Sequence, residues 1–126
     1  AKGGYILSES SGPRNVTILA TGSEVCIALE AQKELESESI GVAVVSMPCW
    51  EVFDGQDKSY KELVLGKDGV RVAVEAGMAQ GWDRYVGPDG IIICMDQFGA
   101  SGPAKDLYKH FGITCEAIVK AVKDLL

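Results

Sequence analysis

The sequence holds one histidine, His110, and one asparagine, Asn15, in 126 residues. A metal centre built from several imidazoles of one chain is therefore excluded. A Ser-His-Asp triad is equally unsupported, because no G-x-S-x-G elbow presents a serine. Basic charge is also scarce: 12 Lys and Arg stand against 18 Asp and Glu, for a net charge of −6 and a pI near 4.7. The cations are scattered, with no stripe to follow a phosphate backbone or an anionic lipid surface, so nucleic acid and membrane are not expected partners. No apolar run approaches the roughly 20 residues that span a bilayer. The N-terminus lacks the basic and apolar regions of a secretory signal. There is no G-x-x-x-x-G-K-[ST] phosphate loop, and the one glycine near Thr21 falls short of G-x-G-x-x-G.

Four cysteines, at 26, 49, 94 and 115, are too widely spaced for a zinc knuckle or a redox dithiol. Four free thiols fit a reducing, cytosol-like compartment. Cys26 and Cys94 fall in apolar segments and are expected to be buried as small hydrophobes. Cys115 is placed in the first turn of a helix.

What is present is the composition of one ordered globular domain, 47% hydrophobic and 24% charged. Short β-branched runs alternate with amphipathic segments. Strands are expected at Tyr5-Ile6-Leu7 (an edge), Val16–Ala20, Val42–Met47, Arg71–Glu75 and Ile91–Met95. Helices are expected after Thr21, from Asp57 to Leu65, from Gly81 to Val86, from about Pro103 to Gly112, and after Thr114. In the second of these Tyr60, Leu63 and Val64 share the apolar side. Thr21 is expected to cap the first helix, with Glu24 completing a capping box. The last helix carries Ile118, Val119, Val122, Leu125 and Leu126 as one stripe. The fold class that follows is α/β, a single domain over 1–126: an open, mostly parallel sheet of about five strands with helices on both faces.

In such sheets ligands sit at the carboxyl ends of strands. The candidates there are Thr21, Gly22 and Ser23 after the first long strand, Glu75 and Gly77 after the third, and Gly99 and Ser101 after the fourth. A bound anion at Thr21-Gly22-Ser23 competes with simple helix capping, and Glu24 would repel a phosphate. Glu75 reads as a base or ribose ligand, or as a structural carboxylate. Trp50, Phe53, Trp82 and Phe98 also lie at sheet ends, packed beneath loops or forming a partner surface that self-associates when uncovered. From the residues alone there is no self-sufficient catalytic set.

These same strand ends carry a resemblance. Ile18-Leu19-Ala20-Thr21-Gly22-Ser23-Glu24-Val25 resembles the segment that opens the C-terminal domain of transketolases. Val45-Ser46-Met47-Pro48-Cys49-Trp50, with Phe53-Asp54, Gln56-Asp57 and Tyr60, is similar to its next block. Arg71–Gly77, Trp82 with Tyr85-Val86-Gly87, and Phe98–Ala104 continue the match in order, and Lys2-Gly3-Gly4-Tyr5 resembles the start of that domain. The run from Pro48 to Gln56 separates transketolases from their relatives in deoxyxylulose-phosphate synthesis and 2-oxo-acid oxidation. Gly66 and Gly102 depart from the family's usual residues, both in loops.

The resemblance implies a parent enzyme, a homodimer in the cytoplasm or an organelle, that moves a two-carbon ketol unit between sugar phosphates in the pentose-phosphate pathway. It implies thiamine diphosphate and Mg (or Ca) in the parent. The family's cofactor motif begins Gly-Asp-Gly and ends in paired asparagines, and a chain whose single asparagine is Asn15 cannot contain it. No catalytic, cofactor-binding or metal-binding residue is therefore expected in this chain. It is expected to be a structural, dimer-supporting fragment, starting at Ala1 because it was cut from two cofactor-binding domains. Its partners would be those domains and a second subunit. The alternative is a small-molecule-binding or regulatory module using the strand ends.

Overall fold

The computed structural model describes residues 3–22, 24–66, 69–75, 83–86, 90–94 and 115–125. The elements run β1 (Tyr5–Ser8), β2 (Val16–Ala20), α1 (Glu24–Glu36), β3 (Val42–Ser46), α2 (Trp50–Asp54), α3 (Lys58–Leu65), β4 (Val70–Glu75), α4 (Asp83–Val86), β5 (Ile91–Cys94) and α5 (Cys115–Leu125). The five strands order as β1-β3-β2-β4-β5. All neighbours are parallel except β1, which runs antiparallel along β3 with Tyr5 opposite Ser46.

Every residue of β2 is buried, as is all of β3 but Ser46. Such strands must be apolar on both sides, and the β-branched runs VTILA and VAVVS supply that. The pleat then splits each run between two cores. Val16, Ile18 and Ala20 pack with Val42, Val44, Val72 and Val74 against α1 and α5. Leu19, Val45 and Ala73 face the other way, with Phe53, Val64, Leu65, Tyr85 and Val86 of α2, α3 and α4. Burying one such Ile or Leu stabilises the fold by about 1.5–3 kcal/mol, so the expected two-faced sheet is the energetic centre of the domain.

The crossovers explain the strand order. β2 passes through α1 to β3 on one side, whereas β3 crosses back over β2 through α2 and α3 to reach β4. A connection of fixed hand that changes face must also change direction. The order therefore reverses between β2 and β4.

Three expectations need correction. The first helix starts at Glu24, so Thr21 lies too far upstream to be its N-cap; its carbonyl, not its hydroxyl, serves the turn by accepting from the Glu24 amide at 3.2 Å. Cys26 is exposed: the buried residues Glu24, Ala28, Ala31 and Leu35 share one face of α1, and Cys26 is half a turn away from it. Leu63 is 61% exposed, because α3 turns Val64, Leu65 and Tyr60 toward the sheet and leaves Leu63 on the far flank. The expected helix from Pro103 to Gly112, the cap at Thr114 and His110 lie outside the described residues, as does Leu126. In the last helix Ile118, Val119 and Val122 are buried as expected, and Cys115 is its first residue. Among the described residues no helix is long and apolar enough to cross a membrane.

Candidate functional site

The reversal of strand order puts the ends of β2 and β4 side by side. Ala20 is the register partner of Val74, so Thr21 and Glu75 leave the sheet next to one another. Glu75 itself is still paired, opposite Cys94 of β5. Gly22 follows with φ +56, a left-handed conformation that turns the chain sharply into α1. The Val25 amide closes that turn on the Gly22 carbonyl at 3.3 Å, and the Met47 amide ties β3 to the Ala20 carbonyl at 3.0 Å. Glu24, only 4% exposed, is held in an interaction beneath the turn. Of the seven candidate residues the structure thus brings Thr21, Gly22 and Glu75 to one edge. Ser23, Gly77, Gly99 and Ser101 lie outside the described residues.

An aromatic group on α2, α3 and α4 packs in the core that holds Leu19, Val45 and Ala73. Phe53 is fully buried, edge-on to Tyr85 and Tyr60 with ring centroids 6.0 and 6.3 Å apart. Trp50 meets Tyr85 at 5.2 Å in the same geometry. The Tyr85 hydroxyl donates to the Asp54 carboxylate and the Tyr60 hydroxyl to the Gly4 carbonyl, both at 2.8 Å. Of the four expected aromatics Phe53 therefore packs inward and Trp50 is half-buried against the same core; Trp82 and Phe98 lie outside the described residues. Sequence reading did not find the short helix α2, whose N-cap Cys49 offers no side-chain bond to mark it. It also passed over Asp57, which caps α3 by accepting from the Tyr60 amide at 2.8 Å. An aspartate just ahead of an amphipathic run is a readable signal for that role.

Charge is used structurally. Arg71 reaches from β4 to the Tyr85 carbonyl at 2.8 Å and the Gly66 carbonyl at 2.6 Å, joining α4 to the end of α3, and burial lowers its pKa. Arg14 donates to the Val64 carbonyl at 3.0 Å and pairs with Glu9 at 2.9 Å. Both guanidiniums sit at the carbonyl end of α3, where positive charge is favoured.

A half-open cavity of about 430 Å³ lies at the opposite, amino end of the sheet, lined by Ser11, Asn15, Glu36, Ser39 and Gly41 among others. Its one carboxylate is already engaged. Glu36 accepts from the Ser11 hydroxyl at 2.5 Å, the Val42 amide at 2.9 Å and the Ser11 amide at 3.2 Å. The Ser11 hydroxyl bond, then the Val42 amide bond, hold its carboxyl below the usual value of 4.5. Among the described residues no three His, Cys, Asp or Glu side chains gather where a metal ion would bind. The described edge holds the Gly22 turn and the backbone end of β4.

Residues 3–114 match the family described as the transketolase-like C-terminal domain. The chain belongs to the transketolase family. It is 54% identical to a transketolase of Sinorhizobium medicae, with all of this chain matched and 18% of the relative. A Rhodobacter capsulatus transketolase is 51% identical over the whole chain and 20% of its own length. Among solved structures, transketolase from Leishmania mexicana superposes with a TM-score of 0.88 at 41% identity, over 98% of this chain and 18% of that one. A chain described as "Split gene transketolase, inactive beta4 tetramer" matches all of this chain and 43% of its own, with a TM-score of 0.79 at 26% identity. The chain thus corresponds to the C-terminal domain of a transketolase and spans about a fifth of the relatives it matches.

Proposed function

We propose that this domain is the non-catalytic, structural C-terminal part of a transketolase whose complete polypeptide transfers a two-carbon ketol unit between sugar phosphates. One observation carries the reading: the match covers the whole chain but only 18% of the Sinorhizobium relative. On this reading the groups that perform ketol transfer are assigned to the remaining length. The composition of this chain agrees, since its single asparagine cannot form the paired-asparagine end of the family's cofactor motif. The reading accordingly places thiamine diphosphate and its divalent metal in the remaining length of the complete polypeptide.

The role left to the domain is architectural: it supports the other domains and the homodimer, in the cytoplasm. The solved split-gene chain, described as inactive and tetrameric, supports the view that a transketolase part carrying this fold assembles without catalysing. Titration calorimetry of this chain with thiamine diphosphate and magnesium tests the reading. No saturable heat is expected, and a micromolar isotherm would overturn it.

A further inference from the structure

The residues that lead into β1 are held more tightly than an edge strand requires. Gly3 is buried at φ +81, and its carbonyl accepts from the Cys49 amide at 2.9 Å. A side chain on Gly3 would overlap the Cys49 carbonyl and the Phe53 amide. Gly4 is buried too; a Cβ there would lie 2.6 Å from the Met47 sulfur and 2.8 Å from the Phe53 ring. The Gly4 carbonyl takes the Tyr60 hydroxyl at 2.8 Å. The chain is therefore gripped by the end of β3, the first turn of α2 and the side of α3 before any strand pairing begins. β1 does not need this grip to stay in register, since Tyr5, Ile6 and Ser8 already pair with β3.

We propose that Gly3, Gly4 and Tyr60 form a strap that makes the joint to the preceding transketolase domain rigid, with Tyr60 as its positioning residue. Only glycine leaves room for the backbone to lie against α2, and only a hydroxyl at position 60 reaches the Gly4 carbonyl. A displacement of the incoming chain is then passed to α2 and to the carboxyl end of β3 instead of being absorbed by a loose linker. The inference rests on the reading that other domains precede this one in the complete protein.

The test uses the complete transketolase polypeptide with Tyr60→Phe or Gly4→Ala, and Leu63→Ser on the same helix as the control. Trypsin cleavage after Lys2 reports the joint. Hydrogen exchange in peptides covering 47–55 reports the Cys49 amide, and exchange at 16–20 reports the core. Tyr60→Phe is expected to speed cleavage and Cys49 exchange roughly five- to tenfold, the factor that one lost hydrogen bond represents. Gly4→Ala should exceed it, and Leu63→Ser should match the wild type. Exchange at 16–20 should stay unchanged in all three. Unaltered cleavage and exchange in both strap variants would overturn the proposal, as would an equal rise at 16–20, which would mean general loosening. Failure of the underlying reading shows differently: a complete polypeptide with nothing ahead of this domain removes the joint but leaves the Cys49 result standing.

Discussion

Truncating Phe53 to alanine is the most informative single perturbation of this domain. Its ring is fully buried among Leu19, Val45 and Met47, and meets the rings of Tyr60 and Tyr85 edge-on. Removing a buried phenylalanine costs about 3–5 kcal/mol, part lost transfer energy and part cavity. The upper half of that range is expected here. The pocket is walled by strands β2 and β3 and by two tyrosines pinned at their hydroxyls, so it has little freedom to collapse. Domains of this size are stable by about 5–15 kcal/mol in total. The variant should therefore lose about a quarter or more of its stability. With a urea dependence of about 2 kcal/mol per molar, the midpoint should fall by about 2 M. Circular dichroism of this chain across a urea series measures it. Leu63→Ser, at a leucine the sequence pattern also assigns to the apolar side, should move the midpoint by less than about 0.5 kcal/mol in equivalent. A Phe53→Ala cost below about 1 kcal/mol, or equal costs at the two sites, would refute the assignment of the second core.

Gly22→Ala should cost about 1–2 kcal/mol although nothing crowds the site, because the penalty lies in the φ of +56 alone; Gly22→Asn should recover part of it in the same urea assay. Asp57→Ala should cost about 1 kcal/mol through the lost cap on α3, and Asp57→Ser should restore most of it. Glu36 has a folded pKa lowered from 4.5 by the Ser11 hydroxyl and Val42 amide, so its contribution is complete above that value and disappears as pH falls through the lowered one. Stability of the wild type should thus decline below pH 4.5 more steeply than that of Glu36→Gln, with the two converging in strong acid. Glu9, lowered by Arg14, acts with the same sign, so a residual slope should remain in the variant. Identical slopes in pH-dependent urea titrations would refute the role of Glu36.

The sheet was legible because β2 and β3 are almost continuously apolar, and a run that must satisfy two faces leaves few alternatives. Glycine-bounded helices between such runs then imply the crossovers, and the position of the strand ends follows. Local chemistry was less legible where two readings share one residue pattern. Thr21 and Glu24 have the spacing of a capping box, yet Gly22 in the left-handed region turns the chain first and starts the helix later. Cys26 and Leu63 fit an apolar pattern, but a few degrees of helix rotation decide which flank is covered, and that is set by packing against the sheet. The two arginine clamps were not visible at all. Each acts on backbone carbonyls, and no sequence pattern says which carbonyl a long side chain will meet. Among the candidate residues, Thr21, Gly22 and Glu75 lie at strand ends because position in the topology, not side-chain identity, places them there.

The antiparallel placement of β1 also sets an order of assembly. β1 comes first in the chain but pairs only with β3, so it has no partner until β2, α1 and β3 have been brought together. The β2–α1–β3 unit pairs residues closer in sequence, Val16 with Val42, than the Tyr5–Ser46 pairing of β1 with β3, and closing the longer loop is rewarded only afterwards. The segment that comes first in the chain is thus sealed onto β3 only after β2 and β3 have paired. Pulse-labelling during refolding reads this directly: the Ile18 amide should be protected before that of Cys49, and the reverse sequence would contradict it.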